Sequence, residues 1–506
     1  MQTQIKAPNG RTWTQPLGLF INNEFVKSSD GERIVSINPT TEEEICSVYA
    51  ASAEDVDTAV KAARAAFRAP TWKTLSGTER GVLMRRLADL VDQHRELLAT
   101  VETLDNGRPY RAVLGDDVPE FVDVLRYYAG YADKIHGQVI DVGPGKMAYT
   151  VKEPLGVCGQ IIPWNYPLCM AAWKLGPALC CGNTVVLKLA EQTPLSMLCV
   201  AQLVRDAGFP PGVVNIVNGH GRVAGAALAR HPDVDKIAFT GSTATGRAVM
   251  QAAAGTLKNV TLETGGKSPL LVFDDADLDL AARWAHRGIM DNQGQMCSAT
   301  SRILVQASVY DSFLARFTAA VQRVSVVGDP FAPDTFQGPQ VTRAQYERVL
   351  GYIASGRAEG ATVAMGGEAV GGPLATAAAA DTVKKGFFIA PTVFTDVRPT
   401  MKIYREEIFG PCGVVAAFAT EDEAVAMAND TTYGLGAAVF TRNLTRAHRV
   451  ARAIEAGMVW INSSNDSDYR VPFGGVKQSG VGRELGEAGL AAYSNIKSIH
   501  VNMEAT

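Results

Sequence analysis

The spacing of hydrophobic residues changes along the 506-residue chain, and the change separates regions of different structure. Near the start, "GLFINNEFV" and "ERIVSINP" are short apolar runs bounded by turn residues, which predicts strands. The next segment, "SAEDVDTAVKAARAAF", begins with Ser52 three residues before Asp55, a helix-capping signature. Its apolar residues repeat at helical spacing and share one face: Val56, Ala59, Val60, Ala63 and Phe67.

From residue 157 the chain alternates between strand and helix patterns. Buried strands are predicted at "GVCGQIIPW", "NTVVLKL", "GVVNIVNG" and "KIAFTG". Helices are predicted at "AAWKLGPALCCG", ending at Gly182, and at "PLSMLCVAQLVRDAG", ending at Gly208. This alternation predicts a parallel sheet covered on both faces, with ligands at the carboxyl ends of its strands.

A second α/β region is predicted from about residue 264 to 480, with strands such as "SRILVQ" and "GMVWIN" and a helix at "VYDSFLARFTAAVQRV". Residues 366–386 are rich in glycine and alanine and are predicted to form a surface loop. The tail alternates Ile499, Val501 and Met503 with polar residues, as a half-buried strand does. An edge strand at a chain end needs a partner, so we expect it to pair with a neighbouring subunit.

Length and charge limit the possible functions. A chain of this length exceeds one hydrophobic core, so two or three domains are expected. The formal net charge of -4 provides no positive field for nucleic acid or an anionic membrane, which favours small-molecule chemistry. No run of about eighteen apolar residues is present, and the first residues resemble neither a signal peptide nor a transit peptide. The cytoplasm is therefore the expected location.

The chain has eight cysteines, with no CxxC pair and no histidine at metal-binding spacing, so neither zinc nor a disulfide framework is predicted. Seven of them lie among apolar or small residues and are interpreted as small buried hydrophobes. Cys297 differs, because it lies in the polar turn "NQGQMCSA" directly before an apolar run. It is the candidate reactive thiol.

Two stretches suggest a dinucleotide site. "KIAFTGSTATGRAVMQAAA" reads as strand, turn and helix, and the helix N-terminus near Thr243 suits a phosphate. In "VVLKLAEQTP", Lys188 precedes Glu191 by three residues, so the two side chains could share the hydroxyls of a ribose, or form a solvated surface ion pair. "GHGRVAG" is interpreted as structural, because Gly219 follows a strand and His220 would crowd a pyrophosphate.

Six ordered stretches carry a resemblance to a known family. They are "PWNYP" (163–167), "FTGSTATG" (239–246), "LETGGKSP" (262–269), "NQGQMCSA" (292–299), "EEIFGP" (406–411) and "PFGGVKQSGVGRELGEAGL" (472–490). The pattern resembles the aldehyde dehydrogenase superfamily, especially its class 1/2 branch, over nearly the whole chain. The resemblance implies NAD-dependent oxidation of a small aldehyde to its acid.

The resemblance also implies an architecture. It predicts an α/β fold with a Rossmann-type parallel-sheet NAD-binding domain over residues 1–138 and 158–263. An α/β catalytic domain is expected over 264–480, and a small β oligomerisation arm and tail over 139–157 and 481–506. The expected assembly is a homotetramer built as a pair of dimers, with a homodimer as the alternative.

By resemblance, Cys297 is the nucleophile that forms a thiohemiacetal and then a thioester. Such a thiol is expected to lie in a polar, electropositive pocket that favours the thiolate. Asn165 matches the residue whose amide stabilises the oxyanion together with the backbone N–H of Cys297. Glu263 matches the general base that activates water to hydrolyse the thioester.

Cofactor contacts are implied in the same way. Glu407 is expected to bind the nicotinamide ribose, and Phe409 is expected to lie beside the nicotinamide ring. The resemblance also assigns Gly221 and Gly225 to the cofactor site, although the residues of "GHGRVAG" alone indicate a structural role. The full implied set is Ile161, Pro163, Trp164, Lys188, Glu191, Gly221, Gly225, Phe239, Gly241, Ser242, Gly246, Glu407 and Phe409. Thr264 and Leu189 depart from the usual family residues, and neither departure changes a reacting group.

The residues of the implied substrate tunnel differ more strongly from those that are usual in the family. Tyr166, Met170, Trp173 and Phe473 keep part of an aromatic and apolar wall. Acidic residues stand where relatives tend to be apolar: Glu120, Asp466 and Asp468. If they line the tunnel mouth, an aldehyde with a polar or cationic tail is favoured; if they face solvent, the mouth is simply wide and permissive.

Three other functions stay open. An acylating enzyme would pass the thioester to coenzyme A, against which Glu263 argues. A non-enzymatic structural or binding protein could keep the fold, against which the intact Cys297, Glu263 and Asn165 argue. A Cys/His hydrolase would need a histidine beside Cys297, and the sequence places none there.

Overall fold

The computed structural model describes residues 1–370 and 385–503. Its strands are β1 (Gln2–Lys6), β2 (Thr12–Pro16), β3 (Leu19–Ile21), β4 (Glu24–Val26), β5 (Arg33–Ile37), β6 (Glu44–Tyr49), β7 (Val139–Ile140), β8 (Lys146–Pro154), β9 (Val157–Ile161), β10 (Thr184–Lys188), β11 (Val214–Val217), β12 (Lys236–Thr240), β13 (Asn259–Glu263), β14 (Pro269–Val272), β15 (Arg302–Gln306), β16 (Thr362–Met365), β17 (Thr392–Thr395), β18 (Cys412–Phe418), β19 (Gly436–Phe440), β20 (Met458–Ile461), β21 (Gly480–Val481) and β22 (Ser494–Asn502).

The α-helices alternate with these strands from β9 onward. They are α1 (Ala53–Arg68), α2 (Pro70–Lys73), α3 (Gly77–Gln93), α4 (Arg95–Asn106), α5 (Tyr110–Ala112), α6 (Val118–Tyr131), α7 (Pro167–Cys180), α8 (Leu195–Asp206), α9 (Ala226–Arg230), α10 (Thr243–Ala253), α11 (Leu278–Met290), α12 (Tyr310–Val324), α13 (Arg343–Ala358), α14 (Lys402–Arg405), α15 (Glu421–Asn429), α16 (Leu444–Ala453) and α17 (Gly486–Ala491). Ser52 and Asp55 form the capping box predicted at the start of α1.

The first large sheet has eight strands in the order β21-β13-β12-β9-β10-β11-β3-β4. Its five central strands, β13 to β11 in that order, are parallel, as the alternating pattern predicted. Along β10, Val185 and Leu187 pack into the cluster that contains α7 and α8, whereas Val186 packs into the cluster that contains α1. The sheet is therefore covered on both faces, which explains why its strands are apolar throughout.

The second large sheet has seven strands in the order β16-β17-β18-β15-β14-β19-β20, parallel except for the edge strand β16. Neighbouring residues again face opposite ways. Leu270 packs with α11 and α12, and Leu271 packs into the cluster that contains α13 and α16. The predicted α/β class is confirmed by these two sheets.

A third, three-stranded sheet has the order β22-β8-β7. The tail forms a strand as predicted, but it pairs antiparallel with β8 of its own chain, with Ile499 opposite Tyr149. The prediction that Ile499, Val501 and Met503 form a half-buried face of this strand is wrong for the single chain. Ile499 is half-buried, whereas Val501 is 40% and Met503 50% exposed.

Helix ends differ from the predictions by small amounts. The helix expected to end at Gly182 ends at Cys180, and the one expected to end at Gly208 ends at Asp206. In both cases the glycine has positive φ, 87° and 90°, so it terminates the helix from outside it. Of the loop expected at 366–386, residues 371–384 lie outside the described part of the chain.

Candidate active site

A cavity of about 570 Å³ is lined by the carboxyl ends of β12 and β13 in the first large sheet and by loops of the region that forms the second large sheet. Asn165, Glu263 and Cys297 all line it, although they come from three separate segments. Glu263 is the last residue of β13, Asn165 lies in the loop after β9, and Cys297 lies in the turn before β15. The site thus forms beside strand ends, where the fold class predicts ligands.

The turn that carries Cys297 has an unusual backbone. Three consecutive residues, Asn292, Gln293 and Gly294, have φ values of 48°, 59° and 69°. A Cβ on Gly294 would lie 2.0 Å from the carbonyl oxygen of Gly410, so only glycine fits there. The strained turn leaves Cys297 half-buried, while the other seven cysteines are buried free thiols.

The expectation of an electropositive pocket around Cys297 is wrong. Burial raises the pKa of the thiol, the carboxylates of Glu407 and Glu263 add to the shift, and together they bring it to about 12. The backbone N–H groups of Cys297 and Ser298 lower the pKa but do not reverse the shift. The side-chain amides of the turn face backbone carbonyls instead of the thiol. Gln293 Nε2, for example, donates to the carbonyl of Pro339 at 3.2 Å.

Asn165 is 5% exposed and is fixed from two directions. Its side-chain Nδ2 donates to the carbonyl of Gln295 at 2.9 Å, and its backbone carbonyl accepts from Asn292 Nδ2 at 3.0 Å. A primary amide has two N–H donors, so one remains for a substrate oxygen. This donor borders the same cavity as Cys297.

Glu263 is 2% exposed, and neither of its carboxylate oxygens has a hydrogen-bond partner among the described residues. Burial, reinforced by the charge of Glu484, raises the pKa of Glu263 well above the ordinary carboxyl range, and Lys174 opposes the shift. Lys174 is itself fully buried, paired with Glu484, and donates to Thr240 Oγ1 at 2.7 Å. The carboxyl group of Glu263 therefore has a high proton affinity.

The candidate cofactor residues lie at neighbouring strand ends. Ile161 ends β9 and Lys188 ends β10, while Gly241 directly follows β12 and Phe239 lies near its end. Lys188 Nζ lies 2.9 Å from Glu191 Oε2. Because the Lys188 side chain is 3% exposed and that of Glu191 32%, the pair is not the fully solvated pair of the alternative interpretation.

The turn before α10 leaves no space for side chains. A Cβ on Gly241 would lie 2.6 Å from the ring of Phe239, and one on Gly246 would lie 2.8 Å from Thr264 Cγ2. Ser242 caps α10 by accepting from the N–H of Thr245 at 3.2 Å. A helix N-terminus with a bare backbone in front of it fits a dinucleotide phosphate.

The "GHGRVAG" segment forms a π-helical turn over Gly221–Gly225. A Cβ on Gly221 would have Glu191 Oε1 as its nearest neighbour, at 4.0 Å, and one on Gly225 would meet nothing within 4 Å. His220 pairs with Glu32 at 3.6 Å. The turn therefore borders the Glu191 carboxylate, whereas Gly225 is under no steric requirement.

Glu407 and Phe409 lie in the cavity with Pro163 and Trp164. The Phe409 ring contacts the Trp164 ring edge to face, with centroids 5.3 Å apart. Glu407 Oε1 accepts from the N–H of Gly266 at 3.0 Å, and burial raises the pKa of Glu407 to about 7. A carboxylate beside two aromatic rings fits the ribose and ring of a nicotinamide.

Two adjacent glycines separate Glu407 from the nucleophile. A Cβ on Gly265 would lie 2.3 Å from Glu407 Oε2, and one on Gly266 would lie 2.6 Å from the carbonyl oxygen of Cys297. These glycines belong to the motif "LETGGKSP", and no role was predicted for them. Two adjacent glycines shortly after a buried strand are the sequence pattern that could have indicated a close approach of the backbone.

The remaining part of the cavity, here called the substrate tunnel, is lined by Glu120 on α6, by Tyr166, Met170 and Trp173 at the start of α7, and by Phe473. The Trp173 and Phe473 rings pack edge to face with centroids 4.8 Å apart. Asp466, expected in the tunnel, is exposed and does not line it. The loop turns at Asn465, whose φ is 55°, and the Asp466 carbonyl accepts from the indole of Trp460 instead.

Comparison with known proteins identifies the family of the chain. Residues 25–499 match the model of the aldehyde dehydrogenase family. An aldehyde dehydrogenase of Emericella nidulans is 54% identical over 502 residues, which cover 99% of this chain and 98% of that protein. Human retinal dehydrogenase 2 is 50% identical over 487 residues, covering 96% of this chain and 92% of that protein.

A solved structure is similarly close. The NAD⁺ complex of the aldehyde dehydrogenase from Bacillus cereus superposes with a TM-score of 0.92 and 48% identity, and it covers 96% of this chain and 97% of that one. The chain therefore belongs to the aldehyde dehydrogenase family, and it is an oxidoreductase. The resemblance predicted from the six motifs is confirmed.

No helix in residues 1–370 and 385–503 has both the length and the hydrophobicity needed to cross a membrane.

Proposed function

We propose that this chain oxidises an aldehyde to the carboxylic acid through a covalent intermediate on Cys297, which is hydrolysed with Glu263 as general base. The observation that carries the proposal is the meeting of three groups in one cavity. They are a half-buried thiol at Cys297, the Asn165 amide with an N–H to spare, and the unpartnered carboxyl group of Glu263.

NAD is the cofactor. The backbone turn before α10, the Lys188–Glu191 pair and the Glu407 carboxylate would hold its phosphates and two riboses. Trp164 and Phe409, whose rings contact each other, would hold the nicotinamide. When bound, NAD supplies the hydride acceptor for the oxidation step.

The first task of the chain is to make the thiol react. Since the pKa of Cys297 is raised to about 12, attack on the aldehyde carbon requires loss of the thiol proton. The thiolate then adds to the carbonyl, and the negative charge moves to the carbonyl oxygen. The Asn165 amide, which has one N–H to spare, and the backbone N–H of Cys297 would stabilise that oxygen.

Loss of a hydride from the former carbonyl carbon to NAD would leave a thioester on Cys297. The second task of the chain is to hydrolyse this thioester. A carboxyl group with a raised pKa, when ionised, is a stronger base than an ordinary carboxylate and can take a proton from water. The resulting hydroxide attacks the thioester carbon, and the Cys297 sulfur leaves as the thiolate. The product is the carboxylic acid.

The alternative of transfer to coenzyme A is less well supported, because Glu263 already places a base beside the thioester. A non-enzymatic role is also less well supported, since the three reacting groups are intact and share a cavity. The seven histidines provide no base for a Cys/His hydrolase among the residues that line the cavity in the described structure.

We extend the proposal to organisation and assembly. Residues 1–138 with 158–263 form the NAD-binding domain, 264–480 the catalytic domain, and 139–157 with 481–506 the arm. Exposed apolar residues on the arm, such as Val139 at 77% and Ile496 at 70%, support a homotetramer or a homodimer. All eight cysteines are free thiols, which suits a reducing compartment such as the cytoplasm.

The test is oxidation of a panel of aldehydes, with formation of reduced NAD followed by absorbance. Cys297→Ala should abolish turnover while NAD binding, measured by calorimetry, is unchanged. Cys46→Ala, which removes a buried thiol on β6 away from the cavity, is the matched control and should keep turnover. Substantial turnover by Cys297→Ala would refute the proposal.

A further inference from the structure

Arg108 is a buried cation in the wall of the active-site cavity, with 2% of its surface exposed. Its Nε lies 3.0 Å from Asp117 Oδ2, and its Nη1 lies 3.3 Å from Asp291 Oδ1. Asp116 lies 3.9 Å from Nη2, and the guanidinium also interacts with the charge of Glu120. A buried guanidinium with partners on several sides is held in one orientation.

The guanidinium also contacts Tyr166. Its carbon lies 4.8 Å from the centre of that ring, within the range of a cation–π interaction. The Tyr166 hydroxyl has no hydrogen-bond partner among the described residues, so the contacts of its ring hold the side chain. Tyr166 directly follows Asn165, whose amide is the proposed oxyanion donor. Arg108 therefore packs against the neighbour of that donor.

Asp291, the partner on another side of Arg108, begins the turn that carries Cys297. The Asp291 oxygen that faces Arg108, Oδ1, also accepts from the backbone N–H of Asn292 at 2.9 Å. Asn292 Nδ2 in turn donates to the backbone carbonyl of Asn165 at 3.0 Å. Arg108 therefore contacts both sides of the connection between the nucleophile turn and Asn165.

We propose that Arg108 is a positioning residue, which fixes the Asn165 amide relative to the turn of Cys297. It acts through Tyr166 on one side and through Asp291 on the other. The inference rests on the proposed function, because it assumes that Asn165 donates to the reacting oxygen. Such a donor is effective only when it is held at the place where the charge develops, and a small displacement lowers the rate strongly.

Two carboxylates on the same guanidinium provide a matched pair of variants. Asp291→Asn weakens the contact between Arg108 and the turn, so the first-turnover rate, followed as reduced NAD after rapid mixing, should fall about threefold. Asp116→Asn also removes a charge beside Arg108, but at a side chain that is 63% exposed and outside the turn. It should leave the rate within about 1.5-fold of wild type. Equal rates in the two variants would overturn the inference.

Variants of Arg108 itself test the contact directly. Arg108→Met removes the charge and the donors and should lower the first-turnover rate about tenfold, whereas Arg108→Lys restores the charge and should recover part of the rate. A wild-type rate in Arg108→Met would overturn the inference. Because Arg108→Met leaves the buried Asp117 unpaired and could fail to fold, the comparison of Asp291→Asn with Asp116→Asn provides a test that does not depend on it.

A double-mutant cycle determines whether the effect passes through Asn165. In an Asn165→Ala background, Asp291→Asn should lower the first-turnover rate by less than about 1.5-fold, because the donor that it helps to position is gone. The same loss in both backgrounds would show a general structural role and would overturn the inference. An unchanged rate in Asn165→Ala alone would refute the proposed function of Asn165, on which the inference rests, so the two failures are distinguishable.

Discussion

The side-chain amide of Asn165 donates a hydrogen bond of 2.9 Å to the carbonyl of Gln295, two residues before the nucleophile. One bond thus joins the loop after β9 to the turn before β15. The same amide can hold the nucleophile's turn in place and donate to the reacting oxygen. Structural and chemical roles coincide in one side chain.

Asn165→Ala should therefore lower kcat strongly. Loss of an oxyanion donor costs about 3 kcal/mol in the barrier, or roughly a hundredfold or more in rate. NAD affinity should stay within about twofold of wild type, because the amide bonds the nucleophile turn rather than a strand end of the cofactor sheet. Steady-state kinetics and calorimetry measure both, and an unchanged kcat would remove Asn165 from the oxyanion site.

Glu263→Gln should separate the two half-reactions. Without a base the thioester forms and persists, so rapid mixing should show one burst of reduced NAD of about one equivalent per site, followed by a slow phase. Mass spectrometry should find the acyl group on Cys297. A steady-state rate equal to wild type would show that another group activates the water.

The thiol should respond to pH in a defined direction. Because the pKa of Cys297 is raised to about 12, the thiolate fraction should increase about tenfold per pH unit from pH 7 to 10. Alkylation of the NAD-free enzyme by iodoacetamide should accelerate accordingly, without a plateau in this range. Since the Glu263 charge contributes to the raised pKa, Glu263→Gln should be alkylated faster at each pH.

Cys297→Ala is the control for that experiment, because it should take up no label at this site. If the alkylation rate of the wild type reached a plateau below pH 8, the raised pKa of Cys297 would be contradicted. The expectation of an electropositive pocket would then be supported.

Glu191 should determine the choice of cofactor. Its carboxylate, held by Lys188, opposes a phosphate on the adjacent ribose 2′ position, so NAD should be preferred over NADP in kcat/KM. Glu191→Thr should narrow the preference by about tenfold by removing the like charge. Equal use of both cofactors by the wild type would contradict this role.

The arm should determine the oligomeric state of the protein in solution. Light scattering should return a tetramer or a dimer, and Ile496→Glu should shift it towards the monomer by placing a charge on an exposed apolar arm residue. Leu444→Glu is a matched control, because Leu444 is also 70% exposed but lies on α16, away from the arm. A monomeric wild type would refute the assembly.

Local sequence patterns were sufficient to predict the main strands and helices of the fold. Strands buried on both faces are apolar throughout, and the capping pair at Ser52 and Asp55 marks a helix start within a few residues. The six motifs pointed to Asn165, Glu263 and Cys297, which line one cavity, because each motif is contiguous. Neither result required knowledge of long-range contacts.

Interactions between distant segments were not predictable in this way. Lys174 and Glu484 form a buried pair that influences Glu263, yet they are 310 residues apart and neither carries a local signal. The electropositive pocket failed for the same reason, since Glu407 reaches Cys297 from another segment. Asp466 follows Asn465, whose backbone is in the left-handed region with φ 55°. The spacing of residues in the sequence does not predict this backbone turn, so it did not predict that Asp466 lies outside the tunnel.

The backbone of Gly265 and Gly266 lies between the carboxylate of Glu407 and the carbonyl of Cys297, at distances that exclude any side chain. The main chain of these two glycines therefore sets the separation between the Glu407 carboxylate and the Cys297 carbonyl. Side chains on α6 and α7 can change without altering that separation. Such a design lets new aldehydes be accommodated by substitutions in the tunnel while the redox chemistry remains the same.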